Sequence, residues 1–225
     1  MWCVPAIDRE FVVRMEDVLR LYARLYDPAQ PVLCLDERPV VLREAARDGV
    51  VMTPGRPART DYEYVRNGTA NVFCIVEPKT GRRLTYATKR RTGRDFARAL
   101  LRIAKAYRRA RRIHLVVDNL STHTEKSCIE AFGPRRGRAL WRRFEIHYTP
   151  KHASWLNAAE MEASLVARQC LGKRRIPDLV TLRHEVRAWR RVATHEGCAI
   201  RWRFRVADAR RVFKYDALIF TRSEH

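Results

Sequence analysis

Acidic residues are scarce in this chain, which has 25 Asp and Glu against 46 Lys and Arg. The formal net charge of +21 over 225 residues makes phosphate polyanions the leading class of partner. Apolar residues make up 46% of the chain, enough for a packed core, so a disordered basic tail is excluded. An Arg-rich composition imposed by a GC-rich genome is the alternative explanation of the charge.

Three further features are missing. The six cysteines form no C-x-x-C motif and no Cys/His cluster with zinc spacing, which excludes a structural zinc site of the common kinds. Cys34 and Cys74 lie inside apolar runs and are expected to be reduced core residues. No apolar run reaches about 18 residues, and no N-terminal signal peptide is found, so we expect a cytoplasmic protein that does not enter a membrane.

Hydrophobic periodicity predicts alternating helices and strands. Strands are predicted over 31–36, 70–77, 83–88, 113–118 and 144–148. Helices are predicted over 8–26, 93–110, 124–132, 135–142, 155–170 and 179–194, with Asp8 and Ser154 as candidate N-caps. The Pro- and Gly-containing stretch 38–60 is expected to be a loop. This order predicts an α/β fold with a mixed five-stranded sheet and helices on both faces.

Three acidic residues stand out against this cationic background. Asp36 and Asp118 each end an apolar run, and Glu160 lies just inside a predicted helix. Carboxylates from strand ends and a helix can converge and hold hard divalent cations through oxygen. Two such ions support phosphodiester cleavage by activating the nucleophile and stabilising the leaving oxygen.

Each of these acids also has an ordinary interpretation. Asp36 could cap the following loop, and Asp118 with Asn119 could simply form a turn. Glu160 and Glu162 compete for the third position, because two residues on a helix lie about 200° apart and cannot both face one site. A solvated helix face is the common location of either glutamate.

Several stretches of the chain are similar to one family. They are Leu33-Cys34-Leu35-Asp36-Glu37, Asp61-Tyr62-Glu63-Tyr64 with Asn67-Gly68-Thr69-Ala70-Asn71, Val117-Asp118-Asn119-Leu120-Ser121-Thr122-His123-Thr124, and the run from His147 through His152-Ala153-Ser154-Trp155-Leu156-Asn157 to Glu160. Over about residues 1–215 the chain resembles bacterial insertion-sequence transposases related to mariner, the insertion sequence 630 family. The Asp-Asn-x-x-x-His and His-x-Ser-Trp-Leu-Asn-x-x-Glu stretches are the most specific part of this resemblance.

The resemblance implies a ribonuclease-H-like fold and a catalytic triad of Asp36, Asp118 and Glu160 that binds two Mg²⁺ ions, for which Mn²⁺ can substitute. It selects Glu160 and not Glu162. The implied reaction is hydrolysis of a DNA strand at a transposon end, followed by attack of the freed 3′ hydroxyl on target DNA. The implied partners are transposon-end DNA and target DNA.

Five residues are supporting candidates around the triad: Asn119, His123, His152, Trp155 and Asn157. His123 could reach a phosphate or a water, or could be structural. Trp155 could stack on a base, a contact worth roughly 1–3 kcal/mol in single-strand binders, or could anchor the Glu160 helix by packing.

Basic residues outside this region are candidate phosphate contacts, which would make DNA affinity fall with salt. These DNA-binding candidates are Arg56, Arg59, Arg66, Lys89, Arg90, Arg91, Arg94, Lys151, Lys173, Arg174 and Arg175. A solvated surface is the alternative for each of them.

The expected organisation is a lead-in helix over 1–30, the catalytic domain over 31–195 and a C-terminal extension over 196–225. Members of the family usually carry helix-turn-helix units before the catalytic domain, and we expect none here. A homodimer or a separate helix-turn-helix polypeptide would then complete the assembly on DNA, close to the bacterial nucleoid.

Two other functions remain as alternatives. One is a nuclease of the same fold that acts on RNA or branched DNA, and the other is an inactive nucleic-acid-binding remnant. Strand-joined DNA products support the transposase, whereas cleavage of an RNA–DNA hybrid supports the nuclease. Absence of magnesium-dependent nicking supports the remnant.

Overall fold

A computed structural model describes residues 7–47, 53–57 and 62–215 of the chain. The described part contains seven α-helices and six strands, with a 3-10 turn at Ser154–Leu156 and a π-helical turn at Val166–Leu171. In chain order the elements are α1 Arg9–Ala23, β1 Val32–Ala45, β2 Tyr64–Glu77, β3 Arg82–Arg83, β4 Tyr86–Thr88, α2 Gly93–Ala106, β5 Ile113–Val117, α3 Glu125–Phe132, α4 Pro134–Trp141, β6 Phe144–Tyr148, α5 Ala159–Leu165, α6 Leu179–His195 and α7 Val206–Phe213.

All six strands belong to one mixed sheet. Its order is β3-β2-β1-β5-β6, and β4 pairs with β2 next to β3. The β1–β2 pair is antiparallel, whereas the β1–β5 and β5–β6 pairs are parallel. The predicted α/β class and mixed sheet are therefore confirmed.

The central antiparallel pair is longer than predicted. β1 continues to Ala45 and β2 begins at Tyr64, so the prediction of a loop from residue 38 is wrong for residues 38–45. Pro39 is tolerated in β1 because β5 pairs with this strand only over Val32–Cys34, so Pro39 has a strand neighbour on one side alone. Asp36 consequently lies inside a strand and not at its end.

The predicted strand 83–88 is divided into β3 and β4, which raises the strand count from five to six. The division occurs at Thr85, whose side-chain Oγ1 accepts the Ile75 backbone N–H at 3.2 Å. A side chain thus occupies the place of a backbone acceptor, and the regular ladder is interrupted there.

Helices cover both faces of the sheet, as predicted, because successive residues of a strand face opposite sides. Leu33 and Leu35 of β1 belong to a buried cluster with residues of α2, α3 and α4. Cys34, between them, belongs to a second cluster with α1. A third cluster joins the outer half of β1 and β2 to α5 and α6. Each fully buried Leu contributes about 1.5–3 kcal/mol to folding.

The helix starts follow ordinary capping chemistry. Asp8 accepts the Phe11 N–H at 2.7 Å, which confirms the predicted N-cap of α1, and Asp178 accepts the Thr181 N–H at 2.8 Å at the start of α6. The prediction that Ser154 caps the next helix is wrong, because Ser154 opens the 3-10 turn and α5 begins only at Ala159.

The described part of the C-terminal stretch packs back onto the first helix. Buried Glu16 of α1 accepts hydrogen bonds from Arg210 Nε at 2.9 Å and from the Tyr215 hydroxyl at 3.0 Å. α7 is thereby joined to α1. None of the helices in the described ranges has the length and apolar character needed to cross a bilayer.

Candidate active site

The parallel pairing of β1 and β5 places two acidic residues side by side. Cys34 of β1 pairs with Val116 of β5. Asp36 and Asp118 each follow two residues later, so they lie at the same level and on the same face. Because neighbouring strands are about 4.8 Å apart, the two side chains leave the sheet next to each other. Both are half-buried.

Asn157 attaches the start of α5 to the same point of β1. Its Nδ2 donates to the backbone carbonyl of Leu35 at 2.8 Å, and its Oδ1 accepts the Ala159 N–H at 3.1 Å. Leu35 directly precedes Asp36, so this buried amide brings the first turn of α5, with Glu160, over the acidic pair. Asn157 precedes the N-cap residue Ala158, and its side chain thus bonds the first backbone N–H of α5.

Helix α1 reinforces this attachment from the other side. The buried Tyr22 hydroxyl donates to the Leu156 carbonyl at 2.8 Å and accepts the Ala158 N–H at 3.1 Å. Burial raises the pKa of Tyr22 well above its usual value, so the hydroxyl stays protonated and keeps donating. The backbone before Glu160 is therefore fixed to α1 by Tyr22 and to β1 by Asn157.

The two glutamates of α5 have different environments. Glu162 is fully buried, and its carboxylate accepts hydrogen bonds from Arg83 Nε and from Thr85 Oγ1, both at 2.9 Å. Glu160 is half-buried and lies close enough to Asp36 to influence its ionisation. Glu162 thus belongs to an internal ion pair, and Glu160 is the glutamate of α5 that lies near Asp36.

We call the side chains of Asp36, Asp118 and Glu160 the acidic group. This group carries excess negative charge. Burial, then the neighbouring Glu160, and then Glu37 and Asp118 raise the pKa of Asp36 to about 7, although the Glu37 backbone N–H at 2.8 Å partly opposes the shift. Within the described ranges, neither Asp36 nor Glu160 has an ion-pair partner. Clustered carboxylate oxygens without a counter-charge suit a hard divalent cation, because binding such an ion removes the repulsion.

His123 is buried beside Asp118 and Glu37. It is 0% exposed. Its Nδ1 is hydrogen-bonded to the Asp118 backbone carbonyl at 3.2 Å and lies 2.8 Å from Asp118 Oδ1, and its Nε2 lies 3.0 Å from Glu37 Oε1. Burial alone would lower the pKa of His123, but the hydrogen bonds to Asp118 and Glu37 outweigh it and raise the pKa to about 9. Both ring nitrogens are thus protonated and occupied, which favours the structural role over direct contact with a phosphate.

Glu37 is a site residue that the sequence interpretation passed over. It alternates with Asp36 and faces the opposite side of β1, as strand geometry requires. The available sequence signal was its position directly after Asp36, whereas its burial and its contact with His123 appear only in the structure.

Three other supporting candidates make no contact with the acidic side chains among the hydrogen bonds and ion pairs of the described residues. Asn119 follows Asp118 and is exposed. His152 is exposed, has a φ of 59° and lines a shallow groove with Lys151 and the first turn of α1. Trp155 packs edge-on against Phe204, with ring centroids 5.6 Å apart, which favours the packed anchor over base stacking.

The basic candidates are spread over several surfaces. Arg56 is exposed in the 53–57 turn, Arg66 is exposed on β2, and Arg59 lies outside the described residues. Arg174 is bound to Glu185 at 2.7 Å, so its charge is already partnered. The flanking positions Lys173 and Arg175 follow the π-helical turn, exposed and half-buried respectively.

A large cleft of about 920 Å³ collects the remaining basic candidates except Arg91, and we call it the basic cleft. Lys89, Arg90 and Arg94 line it, as do five residues that the sequence interpretation missed: Arg98, Arg102, Arg183, Arg187 and Arg190. The missed signal was helical spacing, because Arg94, Arg98 and Arg102 recur every four residues, as do Arg183 and Arg187.

Comparisons with known proteins agree with this architecture. A family model described as DDE superfamily endonuclease matches residues 31–183. The fold is similar to that of the Mos1 mariner paired end complex with Mn, with a TM-score of 0.54, 15% identity, and coverage of 85% of this chain and 58% of that chain. It is also similar to the Mos1 strand transfer complex, with a TM-score of 0.52, 16% identity, and coverage of 84% and 56%.

A pre-cleavage Mos1 transpososome matches with a TM-score of 0.53, 15% identity, and coverage of 83% of this chain and 56% of that chain. The chain therefore spans less than three fifths of these solved chains, and the likeness confirms the ribonuclease-H-like fold. No curated protein matches the sequence. Because the family model covers most of the chain, this protein belongs to the DDE superfamily endonucleases.

Proposed function

We propose that this chain is the catalytic part of a mariner-related transposase of the insertion sequence 630 family. It cleaves a DNA strand at a transposon end and joins the freed 3′ hydroxyl to target DNA. The observation that carries the proposal is the meeting of Asp36, Asp118 and Glu160 from β1, the end of β5 and the first turn of α5. Family membership and the shared fold support it.

The donor set fits divalent metal ions. Asp36, Asp118 and Glu160 offer only carboxylate oxygens, which suit Mg²⁺ and Mn²⁺, and they would hold two such ions. Bound ions lower the pKa of the attacking water or hydroxyl and stabilise the leaving 3′ oxygen. Burial and then the negative charge of Glu160 raise the pKa of Asp36, and a bound cation would offset both effects.

The rest of the site positions these three acids. His123 Nδ1 contacts the Asp118 backbone carbonyl at 3.2 Å and lies 2.8 Å from the Asp118 carboxylate, while Nε2 contacts Glu37, so an imidazolium charge is placed beside Asp118. Asn157 and Tyr22 fix the backbone that precedes Glu160. The three carboxylates would therefore already be in position when a phosphodiester binds. Such preorganisation raises the effective concentration of the reacting groups.

The partners follow from charge and family. Transposon-end and target DNA are the proposed substrates, bound in the bacterial cytoplasm near the nucleoid. We propose that a second copy of the chain or a separate helix-turn-helix polypeptide contributes to recognition of the ends.

The direct test uses supercoiled plasmid DNA and purified protein. Mg²⁺ or Mn²⁺ should support nicking, Ca²⁺ should not, and the Asp118→Asn variant should be inactive while retaining DNA affinity. With a labelled duplex that ends in a free 3′ hydroxyl, strand joining should produce plasmid-linked label. Cleavage of an RNA–DNA hybrid without joined DNA would replace the transposase with a nuclease, and no nicking at all would leave the inactive remnant.

A further inference from the structure

The basic cleft lies at the edge of the sheet formed by β4. Its floor is the short strand β4, and its walls are α2 and α6. α2 packs on one face of the sheet through Phe96 and Leu100, and α6 packs on the other face through Leu182 and Val186. The two helices therefore extend past the edge strand on both sides and leave an open channel between them.

The charge of this channel is strongly unbalanced. Eight Lys and Arg side chains line it against two carboxylates, Asp95 and Glu130. Asp95 already accepts the Thr92 N–H and hydroxyl in a capping box and contacts Arg98 at 3.4 Å, and Glu130 lies 3.8 Å from Lys126. Neither acid is left over to neutralise the other cations.

The cations are crowded against each other. Burial, followed by repulsion from Arg102, Arg187 and Arg191, lowers the pKa of Arg190. Arg102 is held over the Tyr86 ring at 4.2 Å, so its guanidinium is fixed on the floor of the channel. Like charges held close together destabilise the free protein, and a bound anion would relieve that repulsion.

The arrangement suits a polyanion and not a single phosphate. Arg94, Arg98 and Arg102 lie on successive turns of α2, about 6 Å apart along the helix axis, and present a row of guanidinium groups. A row of cations on each wall can contact successive phosphates of a backbone, and arginine suits phosphate oxygens because its donors form a planar fork.

The cleft is also close to the acidic group. Asp36 pairs with Cys74 of β2, and the adjacent Phe73 pairs with Tyr86 of β4, so a single strand separates the two regions. Two strand spacings amount to about 10 Å. This distance corresponds to about three base pairs along a DNA duplex.

We propose that the basic cleft binds the phosphate backbone of DNA next to the cleavage site and does so without reading base sequence. The proposal rests on the proposed function for its choice of DNA as the polyanion. It assigns Arg98, Arg102, Arg183, Arg187 and Arg190 a role in holding the substrate.

The test measures equilibrium binding to a labelled DNA duplex of about 30 base pairs in EDTA, over a range of KCl concentrations. The cleft variant combines Arg98→Gln, Arg183→Gln and Arg187→Gln, all at exposed positions. Its affinity at about 0.1 M salt should fall on the order of 100-fold, and the slope of log affinity against log salt should decrease by between about two and three.

The matched control combines Arg135→Gln, Arg136→Gln and Arg138→Gln, which removes the same charge from exposed positions of α4 outside the cleft. Its affinity and salt slope should stay close to those of the unmodified protein. Equal losses in both variants, or no loss in the cleft variant, would overturn the proposal. RNA that competes at least as well as DNA of the same length would replace DNA as the occupant.

Because no metal is present in this binding assay, its result does not depend on catalysis. A protein that binds DNA through the cleft but never nicks it would refute the proposed function and keep the cleft. If the cleft variant nicks plasmid as fast as the unmodified protein at subsaturating DNA, the proposed role of the cleft is refuted and the proposed function stands. Coincident melting curves for the two variants establish that both are folded.

Discussion

The acidic group and the basic cleft lie about two strands apart, and they are built on opposite principles. The acids are few, partly buried and fixed by sheet register and buried hydrogen bonds, so each has one possible position. The cleft consists of many cations on helix surfaces, several of them exposed. Substitution of one acid should therefore abolish nearly all nicking activity. Substitution of one arginine should instead weaken DNA binding only in part, by an amount that depends on salt.

The sharpest test of this contrast is Asp118→Asn, which keeps the shape of the side chain and removes its charge. Metal-assisted stabilisation of the transition state supplies several kcal/mol, so nicking should slow by roughly 1,000-fold or more. DNA affinity should stay equal or rise, because a negative charge near phosphates is removed. Plasmid nicking rates and duplex binding measure the two effects. A variant with a tenth of the normal rate would show that Asp118 is not a metal ligand.

The second test compares the two glutamates of α5. Glu162→Gln leaves the buried Arg83 without its counter-charge, which should cost about 3–5 kcal/mol of folding free energy. For a chain of this size the melting temperature should fall by about 2–4 °C for each kcal/mol. Thermal unfolding followed by circular dichroism measures the change.

Glu160→Gln is the matched control for that comparison. It should abolish nicking while the melting temperature stays level or rises, because repulsion with Asp36 is removed. If Glu160→Gln destabilised the protein and Glu162→Gln abolished only activity, the roles of the two residues would be reversed.

The third test concerns the imidazolium beside Asp118. His123→Asn removes the cation next to this carboxylate and leaves Glu37 buried without its partner. Residues behind metal ligands typically affect metal affinity by about 10- to 100-fold. We expect the Mg²⁺ concentration for half-maximal nicking to rise by this factor, with much of the maximal rate recovered at high Mg²⁺. An unchanged Mg²⁺ requirement would show that His123 contributes only to stability.

The smallest expected effect belongs to a single residue of the cleft. Arg187→Gln should weaken DNA binding only a few-fold and reduce the salt slope by about one, because one phosphate contact is lost among several. Fluorescence anisotropy over a series of KCl concentrations measures both quantities. A loss as large as that of the triple cleft variant would show that Arg187 acts alone, contrary to the distributed character of the cleft.

The sequence predicted the acidic group better than its surroundings. Asp36, Asp118 and Glu160 could be selected because they follow apolar runs or open a helix, and local patterns determine those positions. The choice between Glu160 and Glu162 required either a family resemblance or the structure, since helical geometry excludes only their joint use. The ion pair of Glu162 with Arg83 joins residues that are 79 positions apart, and no local pattern encodes it.

The errors have a common physical cause. Residues 38–45 belong to the basic, Pro- and Gly-containing stretch 38–60 for which the sequence predicts a loop, but pairing with β2 decides their conformation. Ser154 was expected to cap a helix, but the buried Asn157 satisfies both the helix and the β1 backbone. Tertiary hydrogen bonds outweighed local preference in both places. The arginines of α6 were missed for a related reason, because they lie opposite α2 only in the folded chain.

Arg83 carries a consequence for how this molecule can change over time. Besides Glu162 of α5, its guanidinium donates to the carbonyl of Ala193 near the end of α6, at 2.9 Å. Arg83 thus links α5, which carries Glu160, to α6, which forms one wall of the basic cleft. Insertions or substitutions that shift α6 would therefore also move the helix that carries Glu160, so the proposed DNA-binding cleft and the proposed catalytic site are mechanically coupled.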